Sequence, residues 1–239
     1  MALITIIGRG HSGTRAMSHT LYASGVYMGS SINLSGDKIP PHDLYEACRV
    51  FAKYVTWQGG LSWDFSTVLR MAPDPAFIKL VETYLADVLS RTDEHKGWKL
   101  PETTLIYPWI LRMFPDAKYI QWFRDPRDCV MDSHKTDDLR DFGVEYPQTD
   151  DLRRRRAISW IYQYHLMQAT PRPQHTISVR FEDFVLKQCA TLRRLEKFLG
   201  FSLGRIIVRP DAAYRWKKQP EGYDFDFFAE PIRKMRYEK

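Results

Sequence analysis

Gly8-Arg9-Gly10-His11-Ser12-Gly13-Thr14-Arg15 is the stretch that decides the fold. An apolar run rich in β-branched residues, Ala2 to Ile7, leads into it and predicts a short buried strand. Met17, Leu21, Tyr22 and Val26 follow at helical spacing. Strand, glycine loop and helix together make an anion-binding layout. Glycines allow a tight turn, loop N–H groups point inward, and the helix N-terminus adds partial positive charge. The stretch nearly fits G-x-x-x-x-G-K-[ST], with its glycines at Gly8 and Gly13. Thr14 stands where that pattern has lysine, and Arg15 stands where it has the hydroxyl that holds Mg²⁺. The phosphate cradle is kept and the metal ligand is lost, which predicts an anionic ligand handled without metal.

Working outward, the 239 residues are 44% hydrophobic and 27% charged, an ordinary globular composition that predicts one domain over 1–239. The net charge of +6 suits a polyanionic ligand but is too small for a nucleic-acid partner. The only basic run, Arg153 to Arg156, reads as a solvated helix face. Cys48, Cys129 and Cys189 are odd in number and widely spaced, which predicts reduced thiols in a cytoplasmic protein. No apolar run has membrane-spanning length, and the first strand leaves no room for a signal peptide.

Gly25 to Pro41 reads as a long loop beside the phosphate site. Pro41 suits the first turn of a helix reaching about Gln58, with a shorter helix around Phe65 to Met71. Pro75 to Arg91 has helical period; Gly97 to Pro101 reads as a short strand stopped by proline. Thr103 to Phe114 reads as a helix capped by Thr103 or Thr104. Ala117 to Phe123 is a strand ending in Arg124-Asp-Pro-Arg-Asp128, and Pro126 opens another helix. Leu152 to Ala169 reads as an amphipathic helix, Thr176 to Phe181 as a strand, and the helical pattern to Leu199 stops at Gly200. The alternation predicts an α/β three-layer sandwich with a mostly parallel sheet and a ligand at the strands' carboxyl ends.

Four segments, in order, resemble the sulfotransferases that use 3′-phosphoadenosine 5′-phosphosulfate (PAPS). They are His11-Ser-Gly-Thr-Arg15, Gly97-Trp-Lys-Leu-Pro101, the run from Phe114 to Val130 and Val179-Arg-Phe-Glu-Asp183. The resemblance implies the P-loop nucleoside-triphosphatase-like fold of bacterial members. It also implies metal-independent, in-line transfer of a sulfuryl group to a hydroxyl or amine, leaving adenosine 3′,5′-bisphosphate. It carries the donor site to Arg9, Gly10, His11, Ser12, Gly13, Thr14 and Arg15 for the 5′-phosphosulfate, and to Arg124 and Ser133 for the 3′-phosphate. Arg215, Trp216 and Lys217 stand in for the family's basic tail motif. Lys99 and His11 are the implied catalytic cations at the bridging oxygen.

Two positions depart from the family pattern. The loop's usual Lys or Arg is His11, so the missing cation is expected from Arg9 or Arg15. The family's helix serine falls on Asp132, with Ser133 next to it. The general base is expected between Asn33 and Glu46, with Asp37 ranked first and His42 second. The acceptor is expected to be a small molecule or carbohydrate, bound by the aromatic segments after the glycine loop. A P-loop small-molecule kinase and a non-catalytic nucleotide-binding protein remain as alternatives.

Overall fold

The computed structural model describes residues 2–219 and 222–237. Strand β1 (Ala2–Ile7) runs through the glycine loop into helix α1 (Thr14–Ala23). After the long loop come α2 (His42–Ala52), a hairpin of β2 (Thr56–Gly59) and β3 (Ser62–Asp64), α3 (Ser66–Arg70) and α4 (Pro75–Ser90). Next are β4 (His95–Trp98), a 3-10 turn over Pro101–Ile106, α5 (Tyr107–Met113), β5 (Lys118–Phe123) and the short α6 (Pro126–Cys129). Helix α7 (Leu152–Ala169), β6 (Thr176–Arg180), α8 (Phe181–Leu186), α9 (Gln188–Leu199) and α10 (Ala229–Lys234) follow.

The four long-range strands form one parallel sheet in the order β4-β1-β5-β6. Period-two alternation then sorts the side chains onto two faces. Ile4, Ile6, Ile120 and Trp122 pack on one side with Met17 and Leu21 of α1 and Leu195 of α9. Ile7 and Tyr119 pack on the other with residues of α2, α4, α5 and α7. These are the three layers that the alternating pattern predicts. β1 lies inside the sheet, so the glycine loop at its end opens between neighbours on both sides.

Four local expectations are corrected. Helix α2 stops at Ala52 instead of running to Gln58, because Thr56 and Trp57 prefer a strand. Gly59 and Gly60, both at positive φ, then turn that strand back on β3. Thr103 and Thr104 cap no helix: both are buried in the 3-10 turn, and Thr103 accepts from Trp98 Nε1 at 3.3 Å. Helix α7 is not amphipathic in its middle, where Ala157 to Tyr164 are all buried. Its polar residues there are matched to Thr136: Ser159 Oγ donates to the Thr136 carbonyl at 2.6 Å, and Gln163 donates to the Thr136 hydroxyl at 3.4 Å. Nor is the arginine run simply solvated. Arg156 is half-buried, donates to the Met131 carbonyl at 2.9 Å and pairs with Asp137 at 3.4 Å. Among the described residues no helix is long and apolar enough to cross a membrane.

Gly97 marks the tightest point of the sheet, since a Cβ there would strike the Ile4 carbonyl oxygen of β1. Gly97→Ala is therefore expected to lower stability by about 1–3 kcal/mol through overpacking. A urea titration in which Gly97→Ala matches the parent would show that β4 and β1 can separate freely.

Candidate active site

The loop from Gly8 to Gly13 is shaped by what presses on it. Gly13 sits at φ 87, at the N-cap of α1, with the Phe181 ring where a side chain would go. The His134 ring fills the same place above Gly10. Trp122 Nε1 donates to the Ser12 carbonyl at 2.9 Å and fixes the loop to β5. No side chain caps α1, so its first-turn amides are left for an anion.

Arg9 does not face that anion. Its side chain is 4% exposed, pairs with Asp137 at 2.5 Å and donates to the Cys129 carbonyl at 3.0 Å. Asp137 also accepts from the His134 amide at 2.6 Å. Arg9 thus braces the loop from behind, and of the two arginines offered for the missing cation only Arg15 lines the cleft.

The cleft itself holds about 860 Å³ at the carboxyl ends of the strands. Gly10, His11, Gly13, Thr14, Arg15, Lys99, Arg124 and Arg215 line it, together with Asp37. Arg124 is 6% exposed and lies over the Phe181 ring, 4.5 Å from its centre. It donates to the His11 carbonyl at 2.9 Å, to Asp128 at 3.0 Å and to the Ala212 carbonyl at 2.5 Å. Its Nε has no partner among the described residues. Lys99 is 2% exposed, donates to the Ser35 carbonyl at 2.7 Å and is ion-paired to Asp37. Burial pulls the Lys99 ammonium below its ordinary pKa, and the Asp37 carboxylate opposes that pull. Asn33 shapes the turn that carries Asp37, accepting from the Ser35 amide at 2.8 Å and the Asp37 amide at 3.0 Å. His11, at φ 59, turns its ring away so that Nε2 donates to the Ser133 carbonyl at 2.6 Å. Burial lowers its pKa, which makes it a neutral side chain rather than a fixed cation.

A second cleft of about 470 Å³ opens beside the first and shares Asp37, Pro101 and His134 with it. Tyr45, Glu102, Ser133 and Lys135 are among its other lining residues. Glu102 is 1% exposed, and its Oε2 has no partner among the described residues. Burial raises its pKa to about 7, helped by Asp37 and opposed by Lys99 and Lys135. His134 Nδ1 accepts from the Thr136 amide at 3.2 Å, so its proton is on Nε2. Burial and then Arg9 drive its pKa to about 3.

The structure brings Gly10, His11, Gly13, Thr14, Arg15, Asp37, Lys99, Arg124 and Arg215 to one cleft. Ser12, buried, holds the turn behind it with its hydroxyl on the Arg9 carbonyl. His42 does not join the cleft: it is exposed at the start of α2 and lines neither cavity. Ser133 faces the second cleft, not Arg124. Asp132 lines the first and is held at its rim by Arg215, at 2.9 Å. Trp216 packs outside the cleft, donating from its ring to Asp125 at 3.1 Å and from its amide to Asp128 at 2.8 Å. Lys217 lies over the Tyr214 ring and lines no cleft. Glu102 and His134 escaped the sequence reading. The one local hint was Glu102's place directly after the Lys99-Leu-Pro101 segment.

Known proteins share this family profile and fold. The sequence profile described as the sulfotransferase family matches residues 4–204. A Caenorhabditis elegans protein named "Putative protein-tyrosine sulfotransferase" is 24% identical over 161 residues, covering 65% of this chain and 60% of its own length. This chain therefore spans less than two thirds of that relative. Among solved structures, the sulfotransferase domain from the curacin biosynthetic pathway aligns with a TM-score of 0.60 at 15% identity, over 99% of this chain and 98% of its own. The sulfotransferase domain of the Synechococcus PCC 7002 olefin synthase gives 0.55 at 15% identity, over 99% and 95%. At such identities these two show a common fold.

Arg9 and Arg15 should part company on substitution. Arg9→Met leaves Asp137 short of its closest cation and is expected to cost about 3 kcal/mol of stability, whereas exposed Arg15→Met stays within about 0.5 kcal/mol. Equal denaturation midpoints for the two variants would contradict the bracing role of Arg9.

Proposed function

This chain belongs to the sulfotransferase family, and on that premise we propose that it transfers the sulfuryl group of PAPS to an acceptor hydroxyl without a metal ion. One observation carries the reading: the uncapped α1 amides, Lys99 and Arg124 face a single cleft. The cleft fits the donor chemically. Gly10 and Gly13 let the loop pass under the His134 and Phe181 rings with its amides turned to the cleft, and Arg124 keeps a buried Nε without a partner among the described residues. The amides of α1 and the Arg15 guanidinium hold the 5′-phosphosulfate; Arg124 takes the 3′-phosphate, exchanging its bond to Asp128 for a charge-assisted one. Bound there, PAPS supplies an activated sulfuryl group. Lys99 lies where negative charge grows on the leaving phosphate, and fixed charges aimed at developing charge are an efficient way to lower such a barrier. Asp37 keeps the buried Lys99 ammonium charged and aimed.

The acceptor enters through the second cleft. Its walls include Ile39, Pro41, Tyr45 and Leu100, which suit an aromatic alcohol such as a phenol. A phenolic hydroxyl is also the acceptor named for the Caenorhabditis elegans relative.

Calorimetry tests the donor half. Adenosine 3′,5′-bisphosphate should bind without metal, and Arg124→Ala should weaken it by about 1.5–3 kcal/mol. Tighter binding of Mg-ATP than of the bisphosphate would overturn the assignment. Lys99→Met should cut kcat by roughly 10²-fold while changing bisphosphate affinity far less, because its charge matters most as the bridge breaks. Unaltered turnover in that variant would remove Lys99 from the mechanism.

A further inference from the structure

Within that sulfotransferase reading, we infer that Glu102 is the group that takes the proton from the acceptor hydroxyl. The chain places it for this. Lys99 ends the stretch after β4 and faces the donor cleft; Pro101 then turns the backbone, and Glu102 lines the second cleft. The cation for the leaving group and the carboxylate for the attacking group are thus three residues apart on one rigid turn. A buried carboxylate oxygen with no partner is costly. Glu102 lines the second cleft, so an acceptor O–H standing there would meet its carboxyl group.

The competing groups are engaged otherwise. The Asp37 carboxylate is tied to Lys99, holding that ammonium in the donor cleft. His134 presents Nε2–H and binds a second proton only near pH 3, which makes it a donor to the incoming oxygen rather than a base. The groups facing Glu102 are Asp37, Lys99, Lys135, Tyr45, Cys48 and Tyr84. Burial outweighs them and puts Glu102 near pH 7, where a base is both available and effective.

The step balances. The acceptor O–H bond breaks, with its proton going to the Glu102 carboxylate. The oxygen's electron pair forms the new O–S bond as the S–O bond to the 5′-phosphate breaks. The departing pair stays on that phosphate, opposite Lys99. Products are the sulfate ester and adenosine 3′,5′-bisphosphate, and Glu102 returns its proton to water.

The test uses the full chain, labelled PAPS and two phenols, tyramine and para-nitrophenol, in mildly alkaline buffer. Para-nitrophenol is already ionised there and needs no base. Glu102→Gln should lower tyramine turnover by roughly 10²-fold while para-nitrophenol turnover falls by less than about fivefold. The parent's tyramine rate should fall as pH drops through about 7, as the carboxyl takes up a proton and ceases to be a base, and Glu102→Gln should lack that limb. Glu102→Asp, which keeps a carboxylate, should recover part of the tyramine rate and the acid limb. Equal losses with both phenols, an unchanged tyramine rate, or an acid limb that survives in Glu102→Gln would each overturn the assignment. Calorimetry with adenosine 3′,5′-bisphosphate separates the two levels. Affinity within twofold in Glu102→Gln shows the donor site intact, whereas a parent chain that fails to bind the bisphosphate overturns the sulfotransferase reading on which the assignment rests.

Discussion

Asp137 is the fixed point of this structure. It accepts the buried Arg9 guanidinium and the His134 amide, and it lies 3.4 Å from Arg156 of α7. Through those bonds one carboxylate joins the glycine loop, the segment after α6 and the long buried helix. A glycine loop alone is floppy, because glycine loses the most conformational freedom on ordering. Here the ordering comes from behind, through Arg9, and from above, where the His134 ring closes on Gly10. The loop's inner surface stays open for an anion because its own cation points outward.

The two clefts differ in charge. The larger gathers Arg15, Lys99, Arg124 and Arg215, while the smaller is lined by Glu102, Lys135 and the neutral His134. Asp37 stands on the wall between them and is matched by Lys99. On the proposed reading, one proline turn separates the carboxyl that takes the acceptor's proton from the ammonium that neutralises the leaving group. Burial makes both effects stronger than they would be in water.

Legibility in the sequence followed the range of the interactions involved. The β1 strand, the glycine loop and α1 were readable because each is set by neighbours within a few residues. The choice between Arg9 and Arg15 was not, since it depends on Asp137, which lies 128 residues from Arg9. His42 looked apt by loop position, yet it stands exposed at the start of α2. Glu102 was hidden for the opposite reason. A glutamate after proline reads as a solvated turn, and only the packing of α2 and α7 against that turn buries it. The buried middle of α7 escaped likewise, because Ser159 and Gln163 look like a polar face until Thr136 is placed beside them.

The Arg215–Asp132 pair carries a consequence for how the donor cleft responds to its medium. It spans 83 residues of sequence and bridges the cleft's rim from the tail to the segment after α6. Both side chains are partly exposed, so dissolved salt screens their attraction. The rim contact therefore weakens as ionic strength rises, and the cleft's attraction for a polyanion weakens with it. The aspartate that looked misplaced beside a phosphate is already paired with a cation at the cleft's rim.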